Sequence, residues 1–397
     1  MNEDSRRLLA LSIYHCVNDG SLAIFAAVLP VMRLGLGLDF VQIGTILGAG
    51  LLATMILQIL FGSLSDKGHA SEVLILGFAT IVAVDLIFPI SSAFLEVLIF
   101  YVLLRSAAAV YHPVSFSSIG RTHTENKSQA FGYQGAIGDL GLAFGTFSTG
   151  ILSEMWGWRV PFWVWGTIGL ILFAYFAATT TRYRLGFYAQ PTVPASENGG
   201  YPANPGIARS VRSTFAMLTL VSSITTVSFL IFTGYMPLYF NIVEGLSPAW
   251  STTIVAVWVG IGVFAGFITG RVVNRFAGEA KALQVMFALE SVLFLIANVM
   301  LYVKLPSSSE SLIRHVAIAL TGVPIFVTFP ATYGLLGLRM PHTRLGLTYA
   351  LNLSLGLMVA SVATYLTGYL ASVASIAVAL PILLIVAVLG TAASFRV

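Results

Sequence analysis

Only one cysteine, Cys16, stands among the 397 residues, which excludes an intrachain disulfide and any cysteine-based metal centre. Charge is scarcer still: Asp, Glu, Lys and Arg make up 9% of the chain, where a soluble domain carries roughly a quarter. That shortage excludes an ordinary soluble fold. Also missing are a Walker phosphate loop, a His-Glu-x-x-His metal spacing and a Gly-x-Ser-x-Gly nucleophile elbow, so ATP-driven, zinc-hydrolase and serine-hydrolase chemistries have no local signature. No metal and no cofactor are expected from the pattern.

What the chain has instead is apolar length, 57% of its residues. Windows of about 20 apolar residues, enough to cross ~30 Å of hydrocarbon, fall near 8–31, 41–62, 73–92, 96–119, 129–152, 160–180, 214–238, 250–272, 280–302, 312–337, 345–370 and 372–394. The pattern predicts twelve spans, with the last two separated only by the small-residue stretch Ala371–Ser375. Basic residues test this division, because Lys and Arg are retained on the cytoplasmic side. With the N-terminus inside, fifteen of the 20 basic residues, from Arg6 and Arg7 to Arg396, fall on inner loops and tails. Four (Arg33, Arg159, Lys304 and Arg314) fall outside, and Arg105 lies within a span. Both termini are therefore expected in the cytoplasm. The net charge of +4 is read as topology, not as a nucleic-acid surface. The first run is too long for a cleaved leader and carries His15 and Asp19, so it is expected to remain as a helix.

The chain is written twice. Gly62-Ser-Leu-Ser-Asp66-Lys67 lies between the second and third runs, and a degraded copy, Gly270-Arg-Val-Val-Asn274-Arg275, lies between the eighth and ninth. Pro113 and Pro330 recur before inner arginines of the fourth and tenth runs, and Phe131-Gly132-Tyr133 is echoed by Leu345-Gly346-Leu347. Residues 181–213, rich in Pro, Gly, Asn and Tyr, read as a cytoplasmic linker. The expected organisation is an all-α integral membrane protein of two pseudo-symmetric six-helix bundles, 1–180 and 214–397, on either side of that linker. Such a pair supports alternating access by rocking one half against the other.

These residues resemble the major facilitator superfamily over essentially the whole chain. Gly62, Leu64, Asp66 and Lys67 match its Gly-x-Leu-x-Asp-basic loop; Arg105 sits where its membrane-embedded arginine is expected; and Trp156-Gly-Trp-Arg159-Val-Pro-Phe-Trp163 is very similar to its turn between the fifth and sixth helices. Within the superfamily, His15-Cys-Val-Asn-Asp19 with Leu29-Pro30, Tyr111-His112-Pro113, and Gly135-Ala-Ile-Gly-Asp-Leu-Gly141 running to Gly145 resemble the fosmidomycin-resistance branch of drug exporters. Two departures stand against that branch: Val114 where an acidic residue is usual, and Gly145-Thr146 in place of Gly-Pro. The resemblance implies that the first and fourth helices line a central cavity, with the fifth beside them.

An ionisable side chain in hydrocarbon costs a few kcal/mol on insertion scales, so it normally faces a cavity and finds a partner. At 1.5 Å per residue, Asp19, about twelve residues from Arg7, His112, about nine from Arg121, and Asp139, about twelve from Lys127, all fall near the midplane. His15 and Asp19, four apart, share a helix face, as do Arg105 and His112 at a spacing of seven. The expectation is proton coupling through Asp139 or Asp19, with His112 and His15 relaying the proton or touching substrate and Arg105 biasing the site. Glu290 falls in the ninth run, a peripheral position by resemblance. The substrate wall is expected from Arg105, Tyr111, Tyr235, Tyr239, Phe329 and Tyr333, a surface that suits an amphipathic organic molecule better than a sugar. Gly62, Asp66 and Lys67 are expected to gate, Asp66 by pairing with a basic group or capping the eleventh helix. A glycine-rich fifth helix resembles the antiporter signature.

The function expected is secondary active export of small organic molecules or drugs by a monomer in the cell's inner membrane, driven by protons. The rival is a proton symporter or uniporter importing a metabolite, for which Arg105 and the histidines would attract an organic anion. A transporter-derived sensor that moves nothing is the third reading; it expects lost midplane ionisables, and this chain keeps them.

Overall fold

A computed structural model of the chain describes residues 3–122, 127–183, 205–303, 309–339 and 345–397. Most of the expected linker, 184–204, and the side chain of Asp66 lie outside the described residues. Among those described there is no strand, and twelve helices are long and apolar enough to cross a membrane. They are α1 (Glu3–Leu36), α2 (Phe40–Leu64), α3 (Lys67–Ile90), α4 (Phe94–Ser115), α5 (Tyr133–Trp156), α6 (Val160–Arg182), α7 (Val211–Ile242), α8 (Pro248–Arg275), α9 (Glu279–Val299), α10 (Ser311–Leu336), α11 (Thr348–Val373) and α12 (Ile376–Ser394). The twelve predicted runs are met one for one.

Local chemistry sets the ends. Asp39 caps α2, accepting from Gln42 N at 2.7 Å while the Gln42 side chain accepts from Asp39 N at 3.0 Å, a reciprocal box that satisfies two otherwise orphan donors. Ser247 caps α8, and Pro248 follows at the first turn, where its missing N–H costs nothing. Gly68, at φ +95°, kinks the chain in the first turn of α3 in a left-handed conformation that side chains rarely adopt. Between α5 and α6, Arg159 donates from Nε to Pro89 O at 2.8 Å and from Nη2 to Ser91 O at 3.2 Å, with its guanidinium over Trp158. The tryptophan-rich turn is thereby pinned to the end of α3.

Helix association in lipid gains little from burial and depends on close packing of small residues. In the first half, α1 packs along α5 and α6, and α2 along α4. Gly141 and Gly145 of α5 rest on the α1 backbone at Cys16 and Gly20, where a Cβ would have no room. In the second half, α7 packs on α11 and α12, and α9 on α10 and α12.

The halves meet through α1 with α7, α2 with α11, and α5 with α8. At the end opposite the termini, Ala249 N donates to Glu154 Oε2 at 2.8 Å. Ser361 Oγ donates to Gly48 O at 2.7 Å, and Gln58 Nε2 donates to Ser354 Oγ at 2.8 Å, so α2 and α11 are stitched over much of their length. A cavity of about 560 Å³ lies between the halves, lined from both.

Candidate functional site

One wall of the cavity is built from α1, α4 and α5. His15, Asp19, Arg105, His112 and Asp139 all line it. The i, i+4 spacing on α1 closes as expected: His15 Nε2 lies 3.2 Å from Asp19 Oδ2. Two further contacts fix this pair. Asn18 Nδ2 donates to Asp19 Oδ1 at 2.8 Å, and His15 Nδ1 lies 2.8 Å from the backbone carbonyl of Gln134.

That carbonyl can only accept, so Nδ1 carries the hydrogen. The Nε2···Oδ2 contact then holds one further hydrogen, on the imidazole or on the carboxyl. His15 also stacks on Tyr111 with ring centroids 4.7 Å apart, and the His112 ring meets it edge-on at 5.2 Å. Gly138 of α5 lies directly against the imidazole, which leaves no space for a side chain there. His112 reaches this cluster because α4 is interrupted at Ala109-Val110 and resumes at Tyr111.

The facing wall comes from α7, α8 and α10. Phe229, Phe326, Phe329 and Tyr333 line it beside Val263 and Phe267, and Phe229 touches Phe326 and Phe329 edge-on with centroids 5.8 Å apart in each case. The cavity is thus two-faced, ionisable on one side and aromatic on the other. Gln58 lines it from α2 as well as bonding to α11. Glu290 is fully buried in α9 and does not line it.

Three expected wall residues stand elsewhere. Tyr111, Tyr235 and Tyr239 are fully buried and lie behind the cavity surface. A phenol in a dry helix bundle needs a hydrogen-bond partner, and two of these find it between helices. Tyr111 OH donates to Leu11 O at 2.8 Å and accepts from Gln134 Nε2 at 2.7 Å. Tyr235 OH donates to Thr364 O at 2.7 Å. These bonds hold each ring at a contact between helices.

In the loop expected to gate, the backbone over Ser65–His69 is kinked at Gly68, and Lys67 is exposed. Gly62 faces Pro113 of α4.

Sequence reasoning missed a second ionic cluster. Glu244, between α7 and α8, has a largely covered side chain that pairs with Arg314 Nη2 of α10, with His315 Nε2 3.9 Å away. In the sequence Arg314 counts only as an outer charge; the signal that could have found it is the neighbouring His315 at the start of an apolar run. Asp85 of α3 was also missed: it is fully buried and accepts from Ser21 Oγ of α1 at 2.5 Å.

Comparison with known proteins agrees with this architecture. A quinolone resistance protein, NorA, of Staphylococcus aureus is 26% identical over 153 residues, which take in 38% of this chain and 39% of that protein's length. Among solved structures, a bacterial homologue of the human lysosomal transporter Spinster, in an inward-facing and occupied conformation, superposes with a TM-score of 0.77 at 14% identity, covering 100% of this chain and 97% of that one. A variant of the nucleoside transporter NupG superposes with a TM-score of 0.73 at 10% identity, covering 100% and 98%. At those identities the likeness is one of fold. Residues 11–364 match the Major Facilitator Superfamily, and the chain belongs to that family of multi-pass membrane transporters.

Proposed function

We propose that this transporter is a proton-coupled antiporter that exports small amphipathic organic molecules by alternating access. The observation that carries the reading is the two-faced cavity, with acids and imidazoles on the first-half wall and aromatic rings on the second. Such a surface accepts an organic molecule with an apolar body and a polar end, while the acids beside it are placed to exchange protons. Asp139 or Asp19 loads the proton, His15 and His112 relay it, and Arg105 biases the site. Partial similarity to a quinolone resistance protein supports export.

The chain is proposed to sit as a monomer in the cell's inner membrane with both termini cytoplasmic, as the basic residues favour, and to divide into bundles 1–180 and 214–397 about the linker 181–213. In that orientation the bond between Glu154 and Ala249 lies on the outer side and holds the two halves together there. Gly62, Asp66 and Lys67 are proposed to hold the cytoplasmic side shut when the cavity opens outward, so that neutralising Asp66 favours inward opening.

A second reading, proton-linked or passive import of an organic anion, rests on Arg105 beside two histidines on the same wall. Reconstituted protein under an imposed pH gradient separates the two. Export requires substrate and proton flow in opposite directions; parallel flow, or substrate flow indifferent to the gradient, overturns it.

A further inference from the structure

We propose that His15, Asp19 and His112 form a binding site for a divalent transition-metal ion, open to the central cavity. No local sequence spacing announces it, because α1 supplies two ligands and the resumed end of α4 supplies the third. The ligating atoms of the three residues all lie within 4.8 Å of one another. His15 Nε2 and Asp19 Oδ2 are already 3.2 Å apart, close to the separation of roughly 3.0–3.4 Å that two ligands with bonds of about 2.1 Å to one ion would adopt. All three residues line the cavity, so an ion has a route in and its remaining coordination positions face solvent or substrate.

The supporting contacts are those that metal-binding imidazoles use. Nδ1–H of His15 is committed to the Gln134 carbonyl at 2.8 Å, which leaves Nε2 as the metal-facing nitrogen. Asn18 holds Oδ1 of Asp19 at 2.8 Å, which turns Oδ2 toward His15. Stacking on Tyr111 fixes the imidazole plane. Two imidazoles and one carboxylate suit Zn²⁺, Co²⁺, Ni²⁺ or Fe²⁺, whereas Mg²⁺ and Ca²⁺ require a shell of oxygen ligands that this wall does not supply. Asp139 and Arg105 share the wall, and the carboxylate offsets the repulsion between the guanidinium and an ion.

Binding exchanges one hydrogen for the metal. The hydrogen between Nε2 and Oδ2 leaves to the cavity as a proton, bonds from both atoms to the ion form, and no electron is transferred. The ion would also tie α1 to α4 across the interruption at Ala109-Val110. The site shares His15, Asp19 and His112 with the proposed proton path, so a bound ion would displace the hydrogen held there, but binding of the ion does not require that path.

The test is a Co²⁺ titration of the purified full chain without a polyhistidine tag, followed by visible absorption. One ion per chain is expected, with d–d bands that Zn²⁺ abolishes and Mg²⁺ leaves unchanged. Asp19→Asn and His112→Asn should each weaken binding at least about tenfold, whereas His69→Asn and His315→Asn should leave it intact. Absence of the bands, or undiminished binding in Asp19→Asn and His112→Asn, overturns the site. Should those variants fail to fold, X-ray absorption of the zinc-loaded wild type decides: two imidazole ligands support the site and any other count overturns it. Substrate flux under a pH gradient, measured in chelator-treated proteoliposomes, reports on proton coupling separately, so either reading can fail alone.

Discussion

His15 and Gln134 are 119 positions apart in the chain, yet His15 Nδ1 lies 2.8 Å from the Gln134 carbonyl. This contact ties α1 to α5 at the level of the midplane acids and decides which imidazole nitrogen faces Asp19. The proton inventory of the wall thus depends on how closely two helices approach.

Asp139→Asn keeps the shape of the α5 side chain and removes its acid. In the proposed function, proteoliposomes carrying this variant lose pH-driven substrate flux, while thermal unfolding of the purified protein shifts little. Flux equal to wild type would assign proton loading elsewhere, with Asp19 next in line.

The glycines of α5 offer an internal control on helix packing. Gly141 rests on the Cys16 backbone, whereas nothing lies within 4 Å of a Cβ placed at Gly135. Gly141→Val is expected to destabilise by about 1–3 kcal/mol or more through overpacking, and Gly135→Ala to be nearly neutral. Detergent unfolding midpoints of the two variants check the contrast.

Tyr111→Phe separates a structural role from a substrate-binding one. Loss of the hydroxyl leaves Leu11 O and Gln134 Nε2 without their shared partner, at a cost of about 1–3 kcal/mol for buried groups. Stability should fall while substrate KM changes little. Tyr333→Phe, on the cavity wall, should alter KM instead.

Removing one member of the largely covered pair between Glu244 and Arg314 strands the other charge. Glu244→Gln is expected to destabilise by about 3 kcal/mol or more. Replacing both residues with apolar side chains should recover part of that loss, since no unpaired charge remains. A double-mutant cycle on thermal unfolding measures the coupling.

Number of spans, their alternation and the duplicated plan were legible in the sequence because they depend on one-dimensional quantities. Apolar length sets where a helix can cross ~30 Å of hydrocarbon, and the loop at Gly62 recurs at Gly270 whatever the helices later do. Asp19, His15, His112 and Asp139 were legible too, since a midplane ionisable group has few places to go except a cavity. The aromatic wall was only half legible. Phe329 and Tyr333 face the cavity, but Tyr111, Tyr235 and Tyr239, equally apolar in sequence, are turned inward. Tertiary structure decided that division, through hydrogen-bond partners such as Thr364 O that helical periodicity does not reveal. It likewise decided that Glu244 meets Arg314, seventy residues away, and that His112 joins His15 and Asp19. Such meetings depend on where α4 is interrupted and how closely glycine lets α5 approach α1, and distance along the chain carries neither.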